Sequence, residues 1–172
     1  SIFYIANKPK FDYEKAMSYY NDGNYTQASN ILKTIPNYQG VTNIEKNIDN
    51  ELFAKECIKE YEKALKNPES LQIRGIQIVE NADMKQYGTA TFLMLDNSAQ
   101  NGFGGDNENL ALFYRDKTEG AVFVGACDSL DATQQNQSDS QNYAAYLIAS
   151  QYWNTDKAQK LDVDRIKKSL KH

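Results

Sequence analysis

Apolar and polar positions change their period once along this chain. From Phe11 to Asn21, Tyr13, Ala16, Met17 and Tyr20 recur at helical spacing, which places them on one face. This first helix is expected to end near Asp22-Gly23. Thr26 is placed to cap a second helix, in which Ala28, Ile31, Leu32 and Ile35 share a face before Pro36 stops it. A third helix is predicted to start within Val41 to Asp49 and to end near Lys66. Its stripe runs through Ile44, Ile48, Leu52, Phe53, Cys57, Tyr61 and Leu65, and Asn67-Pro68-Glu69-Ser70 breaks it.

Beyond that break the pattern becomes strand-like. In Leu71 to Glu80, Leu71 and Ile73 are in phase, and Ile76 and Ile78 are shifted by one across Gly75, which predicts a bulge there. Thr89 to Asp96 is the clearest strand, with Ala90, Phe92 and Met94 on one side and Thr91, Leu93 and Leu95 on the other, so both faces are expected to be covered. A glycine-rich turn, Ser98 to Gly105, follows, with Phe103 folded back as its anchor. Leu110 to Tyr114 and Ala121 to Cys127 read as two strands joined in a hairpin by Arg115 to Gly120. Connections this short exclude parallel crossovers and predict an antiparallel meander. Asp128 to Gln141 is polar and reads as an exposed loop. Tyr143 to Trp153 carries Ala144, Leu147, Ile148 and Tyr152 at helical spacing. Asp162 to Leu170 reads as a last helix, capped by Asp162, with Val163, Ile166 and Leu170 on one face.

The expected fold is therefore α+β: an N-terminal helical hairpin and a long helix packed on a four-stranded antiparallel sheet, with C-terminal helices. The expected division is residues 1–47 for the hairpin and 48–172 for the α+β domain. A chain of 172 residues has room for this.

Charge and composition remove several classes of function. The net charge of −4 provides no basic field for a polyanion, so nucleic acid is not an expected partner. His172 is the one histidine and lies at the end of the chain, which removes histidine triads and the usual zinc sites. Gly104-Gly105 is followed by Asp106, Asn107 and Glu108 rather than Lys-Ser/Thr, so the glycine-rich turn is not a phosphate loop. The oxygens of Asp96, Ser98, Gln100, Asp106 and Glu108 do not follow calcium-loop order and read as solvated loop groups. Cys57 and Cys127 match no zinc or redox spacing. Cys57 is expected to be a buried thiol, and one bridge between the two is left open. No catalytic residue, cofactor or metal ligand is nominated. Tyr143, Tyr146, Tyr152 and Trp153 are expected to be core, the alternative being a surface that stacks on sugars or a protein.

Ser1-Ile2-Phe3-Tyr4-Ile5-Ala6, followed by Asn7-Lys8-Pro9-Lys10, reads either as the stub of a removed signal or anchor or as an ordinary apolar segment. No run approaches the roughly 20 apolar residues of a membrane span, so membrane attachment would come only through a missing N-terminal anchor.

Tyr13, Ala16, Gly23, Tyr25, Ala28, Leu32 and Tyr38 resemble a tetratricopeptide-type helix pair, in the variant common in Gram-positive surface proteins and lipoproteins. One such pair is too little for a repeat array. Ala64 to Ser70, the turn Ser98 to Gly105 and the closing Asp162-Val163-Asp164-Arg165-Ile166 are similar to a domain of such extracytoplasmic proteins. The resemblance implies an address outside the cytoplasm, secreted or membrane-anchored, and no catalysis. The expected function is a protein-interaction or cell-envelope-associated domain with a protein or cell-envelope partner. The alternative is a pocket for a small ligand or glycan, with Phe103, Tyr114 and Trp153 near its mouth.

Overall fold

The computed structural model describes residues 1–84, 88–100, 102–128, 130 and 140–172. The fold is α+β, and among the described residues the order is α1 (Ile2–Asn21), α2 (Tyr25–Leu32), α3 (Val41–Ala64), a 3-10 turn (Pro68–Ser70), β1 (Gln72–Met84), β2 (Gly88–Gln100), β3 (Asp106–Asp116), β4 (Gly120–Cys127), α4 (Ser140–Tyr152), β5 (Gln159–Lys160) and α5 (Val163–Ser169). The chain divides into two compact units, Ser1–Lys55 with Asp164–His172, and Glu56–Val163. The division falls inside α3, and the closing residues return to the N-terminal unit.

In the helical unit, Ala16, Tyr20, Tyr25, Ala28, Leu32, Val41 and Ile48 form a buried cluster, with Tyr13 and Tyr38 packed on it. α1 begins well before Phe11, the start expected from sequence. It runs through Pro9, where a backbone bond is lost, because Ser1 caps its first turn and the Phe3 and Tyr4 rings reach Phe11 at 6.4 and 6.2 Å across that gap. The cap of α2 is Asn24 rather than Thr26: its Oδ1 accepts from Gln27 N at 3.3 Å. The helix stops at Leu32, before Pro36.

Gly23 ends α1 with φ +74°, and a Cβ there would lie 2.5 Å from Ser169 N of α5. Glycine is thus required both by the left-handed turn and by the approach of α5. Arg165 of α5 donates through Nε to Glu51 Oε1 at 2.8 Å, Tyr20 Oη donates to Glu51 Oε2 at 2.8 Å, and the guanidinium lies 4.0 Å above the Tyr20 ring. Glu51 is 1% exposed. Burial, followed by the bond to this carboxylate, pushes the Tyr20 hydroxyl well above its usual range.

In the sheet unit the strand order is β4-β3-β2-β1-β5, and every pairing is antiparallel. The meander expected from sequence is present, with a fifth strand of two residues added at the β1 edge. Phe92, Leu93, Met94 and Leu95 of β2 are all buried, so both faces of the sheet are covered. Phe92 and Met94 join Val79, Leu112 and the Ala145, Ile148, Ala149 and Tyr152 side of α4 in one cluster. On the other face, the Tyr61 ring lies 6.0 Å from Phe113 and 5.5 Å from Phe123.

Strands β2 and β3 extend past their expected ends and shorten the turn between them, because Asn97 to Gln100 pair with Asp106 to Asn109. Asp116 tightens the β3–β4 turn, its Oδ1 accepting from Thr118 N and Glu119 N at 2.7 and 2.8 Å, which holds its carboxyl below the usual range. Leu52 and Leu147, expected on buried stripes, are 40% and 49% exposed. Their neighbours Phe53 and Ile148, about 100° further round the helix, are the buried residues. Most of the polar stretch expected as an exposed loop lies outside the described residues.

Replacing Arg165 by alanine is expected to cost about 3 to 5 kcal/mol, because it takes a charged donor away from the buried Glu51 carboxylate. The paired change Glu51→Gln with Arg165→Met should recover much of that loss. Urea unfolding of the single and paired variants checks both.

Candidate functional site

The bulge expected at Gly75 centres on the preceding residue. Ile73 pairs with Asn97 and Gly75 with Asp96, which leaves Arg74 as the extra residue of β1. A bulge redirects its side chain, and this one aims the guanidinium along the sheet. Arg74 Nη2 donates to Asp96 Oδ1 at 2.7 Å and to Asn97 O at 3.1 Å, Nε to Asp96 Oδ1 at 3.3 Å, and Nη1 to Glu108 Oε1 at 3.2 Å. One side chain thus ties β1, β2 and β3 together. The Asp96 hydrogen bond holds the Arg74 proton more tightly than usual, so the group is a permanent cation.

Trp153 stands beside this fork, just past the end of α4, with its backbone N–H donating to Ala149 O at 2.8 Å. A Cβ on Gly75 would touch the indole at 3.4 Å, so a larger side chain on the bulge would meet the ring. The segment after Trp153 is seated on β1 by a reciprocal amide pair. Gln77 Nε2 donates to Asn154 Oδ1 at 2.7 Å, and Asn154 N donates to Gln77 Oε1 at 2.9 Å. Gln77 is buried, and Asn154 takes φ +59°, a conformation asparagine tolerates better than most residues. Leu161 N then donates to Ile76 O at 2.9 Å.

Two clefts share Arg74, Asp96 and Trp153. One, of about 280 Å³, continues past Gln77, Asn154 and Lys160. The other, of about 200 Å³, continues past Glu108, Cys127 and Asp128. The first combines an aromatic ring, amides, two cations and the Asp96 carboxylate; in the second, the charged groups other than Arg74 are the carboxylates of Asp96, Glu108 and Asp128.

Of the three residues nominated from sequence, Trp153 lines both clefts. Tyr114 packs on the α4-face cluster with its ring 6.4 Å from Phe92, and it lines neither. Phe103 is 98% exposed in the turn between β2 and β3, so it is not folded back as an anchor. Sequence reasoning missed Arg74, Gln77 and Asn154. The phase shift at Gly75 was the available signal for Arg74, whereas the Gln77–Asn154 pair is 77 residues apart and left none.

Tyr152 is buried, as expected from its spacing, while Tyr143 and Tyr146 are half-buried and stack on each other at 5.8 Å. Cys57 and Cys127 are both buried free thiols. Burial pushes Cys57 well above its usual range and Cys127 up to about 11, with Asp128 adding to the latter. Neither is a poised nucleophile. Among the described residues no group of three or more His, Cys, Asp and Glu is placed to hold a metal ion. No protein-family model matches this chain, and no curated protein or solved structure is significantly similar to it.

The raised thiol makes the protein sensitive to alkali. Folded Cys127 keeps its proton up to about pH 11, whereas an ordinary thiol loses it near 9. Its contribution to stability is therefore complete below pH 9 and is lost as pH rises toward 11. Urea midpoints should fall across that window, and Cys127→Ala should flatten the decline without removing it, since Cys57, Tyr20 and Tyr61 are shifted in the same direction.

Proposed function

We propose that this chain is a noncatalytic binding domain of an exported or membrane-anchored protein, and that it contacts a protein or cell-envelope partner through the surface around Trp153. The observation that carries the reading is the Arg74 fork. It neutralises Asp96 and Glu108 and fixes them beside an aromatic ring, an arrangement suited to holding a partner rather than to moving a proton. The protonated thiols favour the same reading. The extracytoplasmic address rests on the resemblance of the helix pair and of the closing segment to Gram-positive surface proteins.

A second reading is favoured by the larger cleft. At about 280 Å³ it lies near the lower end of small-ligand sites, and an indole beside two amides and a guanidinium matches the face and hydroxyls of a sugar. A glycan from the cell envelope would satisfy both readings.

Thermal unfolding against oligosaccharides, peptidoglycan fragments, nucleotides and divalent ions tests this. A ligand at about 100 times its dissociation constant should raise the midpoint by roughly 5 to 10 °C. Arg74→Ala should abolish that rise while changing the unliganded stability by less than about 1 kcal/mol, because its ion pairs are partly exposed. A shift retained in Arg74→Ala and Trp153→Ala would move the site elsewhere, and a shift with nucleotides alone would overturn the envelope reading.

A further inference from the structure

Strand β5 is only two residues long, yet it sets the charge of the larger cleft. Gln77 stands directly opposite Lys160 in the β1–β5 pairing, which puts both side chains on one face of the sheet. Gln77 also pairs with Met94, a member of the cluster on which Trp153 packs, so this is the Trp153 face. Lys160 is exposed and lines the cleft together with Trp153 and Asn154. The charges there do not cancel. Arg74 is paired with Asp96, the carboxylate of this cleft, and with Glu108. Lys160 has no carboxylate partner among the described residues. On a chain of net charge −4, the cleft therefore holds an unmatched ammonium.

The amides of the cleft have the same polarity. Asn154 N is a backbone amide and can only donate, so the Gln77 atom it meets at 2.9 Å is the acceptor end of that side chain. Gln77 Nε2 is then the donor to Asn154 Oδ1 at 2.7 Å, which engages both side-chain oxygens. Asn154 Nδ2 is left over, and it makes no hydrogen bond among the described residues. Asn154 is exposed, so this donor is open to a ligand. A molecule entering the cleft thus meets N–H donors and an ammonium beside an indole ring. Sugar hydroxyls both donate and accept and gain nothing special from that bias, whereas an ionised acid group only accepts and gains from all of it.

We propose that the larger cleft selects an acidic saccharide. A sugar ring stacks on the Trp153 indole, and its carboxylate or phosphate meets Lys160 Nζ, with the Asn154 side-chain N–H beside it. The proposal rests on the glycan reading of this site and fixes the charge of the ligand. Lys160 is then the specificity-determining residue, and β5 serves to place it opposite Gln77. The smaller cleft, lined by the carboxylates of Asp96, Glu108 and Asp128, disfavours the same acid group, so the ligand is directed to one side of the ring.

Trp153 is the one tryptophan of the chain, so tryptophan fluorescence reports this site alone. The test is titration of the full chain with oligogalacturonate, with its neutral methyl ester and with oligoglutamate; glucose 6-phosphate distinguishes phosphate from carboxylate. An acidic saccharide should change the emission, and the methyl ester should bind about tenfold more weakly than oligogalacturonate. Lys160→Gln should weaken the acid by a similar factor and leave the ester unchanged, and Lys160→Arg should restore the acid. The unfolding midpoint should be the same in all three chains, because Lys160 is exposed. A response to glucose 6-phosphate in place of oligogalacturonate supports phosphate as the acid group. Equal binding of acid and ester, or equal binding of the acid to the native chain and to Lys160→Gln, overturns the proposal and leaves the glycan reading standing. Oligoglutamate binding as tightly as oligogalacturonate also overturns it, since charge alone would then be recognised. Emission that ignores every saccharide overturns the glycan reading and this proposal together.

Discussion

A carboxylate cannot be left buried without a partner, and Glu51 is the buried carboxylate of the helical unit. Its two oxygens are satisfied by elements from opposite ends of the chain, Tyr20 of α1 and Arg165 of α5. That requirement draws the closing residues back onto the N-terminal helices. It also explains why the turn after α1 has no side chain, since Ser169 occupies the space beside Gly23. At the very end, Lys55 donates to His172 O at 3.0 Å, and the His172 ring approaches Asp22. The closing helix α5 thus packs against the turn between α1 and α2.

The sheet unit treats charge differently. Arg74, Asp96 and Glu108 stay partly in water, where such pairs add little to stability. The β-bulge that aims Arg74 and the small Gly75 beside Trp153 are local departures from a regular strand. Together with the Gln77–Asn154 amides they build a fixed polar rim around one aromatic ring. A binding surface gains from such fixed groups, because less ordering remains to be done when the partner arrives.

The helices and strands were legible in the sequence wherever one period ran long enough. The β2 strand and the stripe from Phe53 through Cys57 to Tyr61 follow directly from spacing, and so does the meander from its short connections. Elements were missed where a period was absent or too short. The helical spacing begins only at Phe11, beyond Pro9, so the first part of α1 carried no pattern, and the two-residue β5 is too short to carry one. Asn24 rather than Thr26 caps α2 because α2 begins two residues after Gly23, sooner than the apolar spacing indicated. The candidate site was hardly legible. Trp153 could be nominated by residue type, but its neighbours Arg74, Asp96, Gln77 and Asn154 are brought together by sheet register and by the return of the chain to the β1 edge. Arg165 lay within the segment that reads as the last helix, yet nothing along the chain pairs it with Glu51, 114 residues earlier.

If the return of α5 to Glu51 is what closes the helical unit, its loss should be felt throughout α1 and α2. Hydrogen exchange on the whole chain and on a chain ending at residue 163 measures this directly. The structure predicts that amides across the buried halves of α1 and α2 lose protection in the shortened chain, including those near Ala16, Tyr20, Ala28 and Leu32. Unchanged protection of both helices would contradict it, and would mean that the helix pair holds together without its C-terminal partner.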